Sequence, residues 1–168
     1  LLAISLSLAA MLFYIWIRFE WQFSLAAIIA LIHDVIITVG IFSLLSYEIN
    51  LSIVAAVLTI VGYSMNDTVV IFDRIRENLK KYSKMPIADI SDISTNQTLS
   101  RTLITSITTL LALMSIYIFG GAILKGFSFA MIIGVVIGTY SSIFIATPIL
   151  NYTNVSQKTI LKEDKENN

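Results

Sequence analysis

An aspartate, an arginine and a histidine–aspartate pair stand in stretches that are otherwise apolar, and they are the residues of this chain best suited to chemistry. Asp67 lies in Gly62-Tyr-Ser-Met-Asn-Asp-Thr-Val-Val-Ile-Phe72, with Ser64, Asn66 and Thr68 around it. A charged side chain at the centre of a bilayer costs about 2.5–3.5 kcal/mol on insertion scales, so one that is kept there has a role. Burial favours the neutral acid and a nearby cation favours the carboxylate. A carboxyl held between those influences can load and release a proton. The alternative is a helix–helix hydrogen bond that only stabilises the structure. Arg101 opens a later apolar run as Ser100-Arg-Thr-Leu103. If the two runs pack antiparallel, Arg101 reaches inward toward Asp67; otherwise it snorkels to headgroups. Thr105, Ser106, Thr108 and Thr109 follow it. These hydroxyls can hold water or bond a neighbouring helix, at about 0.6 kcal/mol each.

His33-Asp34 is the third site. Adjacent helical residues point about 100° apart, so the two need not share a partner. Asp34 can bond a neighbouring helix. His33 is either a proton relay or a satisfied core residue.

Such residues need a membrane to matter, and composition supplies the case for one. The 168 residues are 57% hydrophobic and 13% charged, against about 25% charged in soluble domains. Mean hydropathy is +0.84. A bilayer core needs about 20 apolar residues as a helix. Five stretches are read as spans: 1–17, 23–46, 51–72, 103–119 and 127–150. Helices are required because backbone groups find no water in lipid, and the runs do not alternate as barrel strands do. The expected architecture is an all-α polytopic bundle over 1–150, followed by a solvated tail over 151–168.

The connections are unequal. Residues 18–22 and 47–50 are tight turns, 120–126 is a short glycine-rich loop, and 73–102 is the one long connection. Its charged first half is expected to continue the third span until Pro86 stops it. Ile87, Ile90 and Ile93 then recur as in a short interfacial helix. Arg18, Arg74, Arg76, Lys80, Lys81, Lys84, Arg101, Lys158, Lys162 and Lys165 fall on one side and Lys125 on the other. That asymmetry marks the charged side, with the C-terminus, as cytoplasmic. Trp16, Trp21 and Tyr47 sit near span ends, as interfacial aromatics do. Gly134 and Gly138 form a G-x-x-x-G spacing extended by Ser142, which lets helix backbones approach. Pro148 is expected to kink or end the last span.

Several classes drop out. Zero net charge gives no reason to expect nucleic acid, and the absence of cysteine excludes thiolate sites. A single histidine argues against a His-rich metal site. No P-loop motif is present, so ATP binding is not expected. The chain opens Leu1-Leu2 without methionine, basic leader or cleavage site. A fragment lacking its N-terminal part is therefore expected.

Three segments together resemble the SecF branch of the bacterial SecD/SecF protein-export family. They are Gly62-Tyr-Ser-Met-Asn-Asp-Thr-Val-Val-Ile-Phe-Asp-Arg-Ile-Arg-Glu-Asn78, Asn96-Gln-Thr-Leu-Ser-Arg-Thr-Leu-Ile-Thr-Ser106, and Phe119-Gly-Gly-Ala-Ile-Leu-Lys-Gly-Phe127 with Gly138-Thr-Tyr-Ser-Ser-Ile-Phe-Ile-Ala146. His33-Asp34 also fits. Asn66-Asp67-Thr68 looks like the SecF rather than the SecD version. The resemblance implies half of a resistance-nodulation-division-type bundle with pseudo-two-fold symmetry. It implies a first span and an extracytoplasmic domain upstream of Leu1. It further implies a bacterial inner-membrane location, a SecD-like partner, a SecY-containing translocon and exported preproteins, with membrane lipid around the bundle. Asp67 is implied to be the proton-carrying carboxylate and Arg101 its charge partner, with Asn66, His33 and Asp34 as further proton-transfer candidates. The coupling ion is the proton; no other cofactor and no covalent catalysis are implied. A proton-driven small-molecule exporter of the same superfold is one alternative. A non-transporting scaffold, in which Asp67 and Arg101 only pair helices, is the other.

Overall fold

The computed structural model describes residues 2–47, 50–82, 84–153 and 155. Six helices follow in order: α1 (Leu2–Arg18), α2 (Trp21–Leu44), α3 (Leu51–Lys81), α4 (Ile87–Phe119), α5 (Ala122–Ser141) and α6 (Thr147–Tyr152). A π-helical turn, Ser142–Ala146, joins the last two. Four stretches are long and apolar enough to cross a membrane: Trp21–Leu44, Leu51–Lys81, Ile87–Phe119 and Ala122–Tyr152. The first expected span is α1, whose 17 residues fall below the usual length of about 20.

Three boundaries differ from those expected. The connection 73–102 is not a loop with a separate interfacial helix. α3 runs on to Lys81, well short of Pro86, which occupies the N-cap of α4. Ile87, Ile90 and Ile93 form the first turns of α4, which continues unbroken to Phe119. The reason is plain in the residues: no proline or glycine interrupts 87–119. Ser94 and Thr98 also turn their hydroxyls onto carbonyls one turn back, at 2.7 Å and 3.0 Å. The glycine-rich connection shrinks to Gly120–Gly121, because α5 already begins at Ala122. The last span is interrupted before Pro148, which sits second in α6. Proline offers no N–H to the carbonyl four residues back and crowds it. The wider turn before it accommodates this, and Thr147 Oγ1 donates to the Ser142 carbonyl at 2.9 Å. From residue 156 on, the tail and its Lys158, Lys162 and Lys165 lie outside the described residues.

α3 is central. Asn50 caps its start, its side chain accepting from Ile53 N at 3.0 Å. Two apolar clusters form the core. At the charged end Phe19, Phe23 and Phe72 pack ring against ring, with Ile71, Ile75 and Leu150 around them. At the other end Phe42, Tyr47 and Phe129 do the same beside Ile60 and Met131. A polar layer built around Asp34, Ser64, Thr68, Ser141 and Ser142 separates the two clusters.

α3 and α5 run parallel along a seam of small residues. A Cβ on Gly134 would overlap the side chain of buried Ile60. One on Gly138 would stand 3.0 Å from Ser64 Cβ and 3.3 Å from its Cα. One turn further, Ser142 Oγ meets Thr68 Oγ1 at 2.9 Å. The seam therefore works as packing at its first two positions and as a hydrogen bond at its third. Gly134→Ala is expected to destabilise the bundle by about 1–3 kcal/mol through overpacking, read as denaturant or thermal unfolding in detergent. Ile60→Ala in the same chain should restore part of the loss. Gly40→Ala is the control, because a Cβ there meets nothing within 4 Å; an equal effect at both glycines would refute the close seam.

Candidate functional site

The α3–α4 seam is antiparallel and polar along much of its length. Tyr63 Oη donates to Thr109 Oγ1 at 3.2 Å and to the Thr105 carbonyl at 3.3 Å. Arg74 Nε donates to Gln97 Oε1 at 2.6 Å. Asn78 Nδ2 donates to Ser94 Oγ at 2.8 Å and to Gln97 Oε1 at 2.9 Å. Tyr63, Asp67, Val70, Arg74 and Glu77 recur at four- and three-residue steps, which is one face of a helix. The register of these contacts sets Asp67 level with Arg101 to Thr105.

Asp67 is 4% exposed. Among the described residues its carboxyl makes no hydrogen bond and no direct ion pair. Arg101 is the cation whose charge acts on it across the seam. Arg101 itself lines a cleft of about 350 Å³ with Val70, Asp73, Arg74, Glu77, Gln97 and Thr98. On α3 the lining of that cleft begins at Val70, about one helical turn from Asp67. Thr102 is also buried in α4, and its hydroxyl has no partner among the described residues. The arrangement is a buried acid, an arginine held off it, and an open polar cleft leading away.

The neighbours of Asp67 in sequence are not its neighbours in space. Asn66 is exposed and lines a separate cleft with Tyr14, Ile15 and Gly62. Thr68 faces Ser142, and Ser64 faces Asp34. The 100° step per residue turns Asn66 and Asp67 to different seams, while Ser64 and Thr68, one turn apart, share the seam with Gly138 and Ser142.

Asp34 is wholly buried where α2, α3 and α5 meet. Its Oδ2 accepts from Ser64 Oγ at 2.5 Å and from Ser141 Oγ at 2.8 Å. Its Oδ1 lies 3.1 Å from His33 Nδ1. The sequence alone did not single out Ser141 as a partner of Asp34. The signal that could have found it is the rule that a buried carboxylate must find donors.

A further cluster closes the charged end. Arg18 Nη2 reaches both carboxylate oxygens of Asp73 at 3.0 Å. Arg76 Nη2 donates to Glu20 Oε1 at 2.9 Å. Both guanidinium groups stand over the Phe19 ring, at 5.2 Å and 5.7 Å from its centre. The turn between α1 and α2 is thereby fastened to the extension of α3. The sequence offered little warning of it, because Glu20 is a lone carboxylate in a short turn.

Fold and site define a polytopic α-helical membrane protein with ionisable groups enclosed in its helix seams. The family described as protein export membrane protein SecD/SecF, C-terminal, matches residues 1–156, and the chain belongs to it. The protein translocase subunit SecF of Cereibacter sphaeroides is 52% identical over 165 residues, 98% of this chain and 51% of that one. That of Rhodothermus marinus is 59% identical over 143 residues, 82% of this chain and 46% of that one. A solved SecDF from Thermus thermophilus, described as a translocon-associated membrane protein, is similar at 45% identity with a TM-score of 0.84. The match covers 88% of this chain and 21% of that one. SecDF in a super-membrane-facing form is similar at 42% identity and a TM-score of 0.82, over 95% of this chain and 21% of that one. The chain spans about half the length of the curated relatives it matches.

Proposed function

We propose that this chain is the membrane part of a SecF-like accessory subunit that uses the proton-motive force to assist preprotein movement through the Sec machinery. It sits in the bacterial inner membrane with its C-terminus in the cytoplasm. It pairs with a SecD-like subunit and works beside a SecY-containing translocon. It breaks no covalent bond, and the proton is its coupling ion. Asp67 carries the proton and Arg101 is its charge partner. Asn66 and the His33–Asp34 pair are secondary candidates in proton transfer.

One observation carries the reading. Asp67 is enclosed and without a hydrogen bond among the described residues, yet it lies within the field of Arg101 beside an open polar cleft. A carboxyl kept only to pair helices would be expected to bond a neighbour, as Asp34 does. This favours the carrier over the scaffold.

Arg101→Met is the first test. It removes the charge and keeps much of the apolar stem. The pH dependence of proton conductance in the reconstituted full-length protein is expected to shift. An unaltered profile would reduce Arg101 to a headgroup contact.

A further inference from the structure

Asp34 is the most completely enclosed ionisable group described, and its partners come from separate helices. Ser64 on α3 and Ser141 on α5 both donate to Oδ2, while His33 on α2 faces Oδ1. The His33 side chain is 32% exposed, so it connects the buried carboxyl with the outside of the bundle. Ser64 stands one helical turn from Asp67 on α3, and Ser141 directly precedes the π-helical turn.

We infer that Asp34 is a positioning residue, a proton-sensitive latch whose ionised form ties α5 to α2 and α3 and so sets how the helix carrying Asp67 is held. The inference rests on the function proposed above and assigns Asp34 a part distinct from that of Asp67. Hydrogen bonds to an ionised acceptor are roughly twice as strong as neutral ones. While Asp34 is a carboxylate, Oδ2 keeps both serine hydroxyls. A proton passed from the His33 ring to Oδ1 leaves an acid that donates back to Nδ1. Oδ2 is then a neutral carbonyl oxygen and a weaker acceptor. Ser141 has another acceptor within reach, since its Oγ lies 3.2 Å from the Gly138 carbonyl of its own helix. Turning to it lets α5 release α2 without leaving a hydroxyl unpaired. Release is confined to the part of α5 beyond Gly134, because the Gly134–Ile60 contact leaves no slack at that point.

Few other ionisable groups face this site. His33 is the titratable side chain in contact with Asp34 among the described residues. On α3 the next is Asp67, which faces α4. On α5 the next is Tyr140, whose ring stacks on Phe144 of the π-turn. The π-turn presents Ser142, already bonded to Thr68.

The test is a distance between α2 and the π-helical turn that follows α5, measured against pH. The chain has no cysteine of its own. Ile32→Cys and Phe144→Cys place spin labels at two exposed sites outside the latch. The measurement uses the full-length protein with its SecD-like partner in lipid nanodiscs. The distance distribution is expected to widen in a single step as pH falls. Asp34→Asn should remove that step. Ser141→Ala should remove it too, and it keeps the buried carboxylate with its Ser64 bond should the asparagine variant fold poorly. In Asp67→Asn the step should persist. Export by that last variant reads the carrier role of Asp67, while its distance step reads the latch. A step that is absent from the parent protein, survives Asp34→Asn or Ser141→Ala, or vanishes in Asp67→Asn overturns the inference.

Discussion

Replacing Asp67 by asparagine is expected to abolish the proton-motive-force-dependent part of export while the protein still inserts and assembles. The two side chains are nearly equal in size, and both accept a hydrogen bond. Asparagine cannot ionise. A role in packing or hydrogen bonding therefore survives the change, and a role in carrying a proton does not. The local cost is small as well, because Asp67 makes no hydrogen bond or direct ion pair among the described residues that the substitution could break. Export of a preprotein into inverted membrane vesicles, with and without an imposed gradient, separates the outcomes. The gradient-independent rate should hold and the stimulation should vanish. Unchanged stimulation would leave Asp67 as a structural residue and return the chain to the scaffold reading.

The second large effect concerns stability. The Glu20 side chain is 3% exposed and Arg76 20%, whereas in the neighbouring pair Arg18 is 42% exposed and Asp73 41%. Removing one partner of a buried ion pair leaves the other charge enclosed, at a cost of about 3–5 kcal/mol. Arg76 is partly hydrated, which points to the lower end, about 3 kcal/mol. Glu20 Oε2 and Arg76 Nε already have no partner among the described residues, so little is available to compensate. Arg76→Met should therefore destabilise strongly, and Glu20→Gln in the same chain should recover much of the loss. Arg18→Met should cost about 0–1 kcal/mol, as exposed pairs do. Unfolding in detergent by calorimetry or denaturant compares the three. Equal losses for Arg76→Met and Arg18→Met would remove the distinction drawn between the pairs.

What was legible in the sequence follows from what has a local signal. Spans are legible because a bilayer demands long apolar runs. Asp67, Arg101 and His33–Asp34 are legible because polar groups are costly there. The spacing of Gly134, Gly138 and Ser142 is legible because one face of a helix repeats every three to four residues. Boundaries were harder. The polar start of α4 reads as a connection with a short interfacial helix of its own, since hydropathy reports solvent and not the continuity of a helix. Ser94 and Thr98 satisfy themselves on their own backbone, and nothing in composition betrays that. Partners were hardest. That Ser64 serves Asp34 rather than its near neighbour Asp67 depends on which seam each residue faces. That is settled only when three helices are set side by side. The meeting of Glu20 with Arg76, 56 positions apart, belongs to the same class.

The π-helical turn at Ser142–Ala146 has one more consequence. Its ring closes a residue later than an ordinary helical turn. It therefore holds one residue more than the pitch requires at a single place. Shortening the chain by one there lets an α-helix close while Leu150 still meets the core. The same deletion inside α5 would swing every later side chain by about 100°. Tolerance to changes of length in the final span is thus concentrated in these five residues.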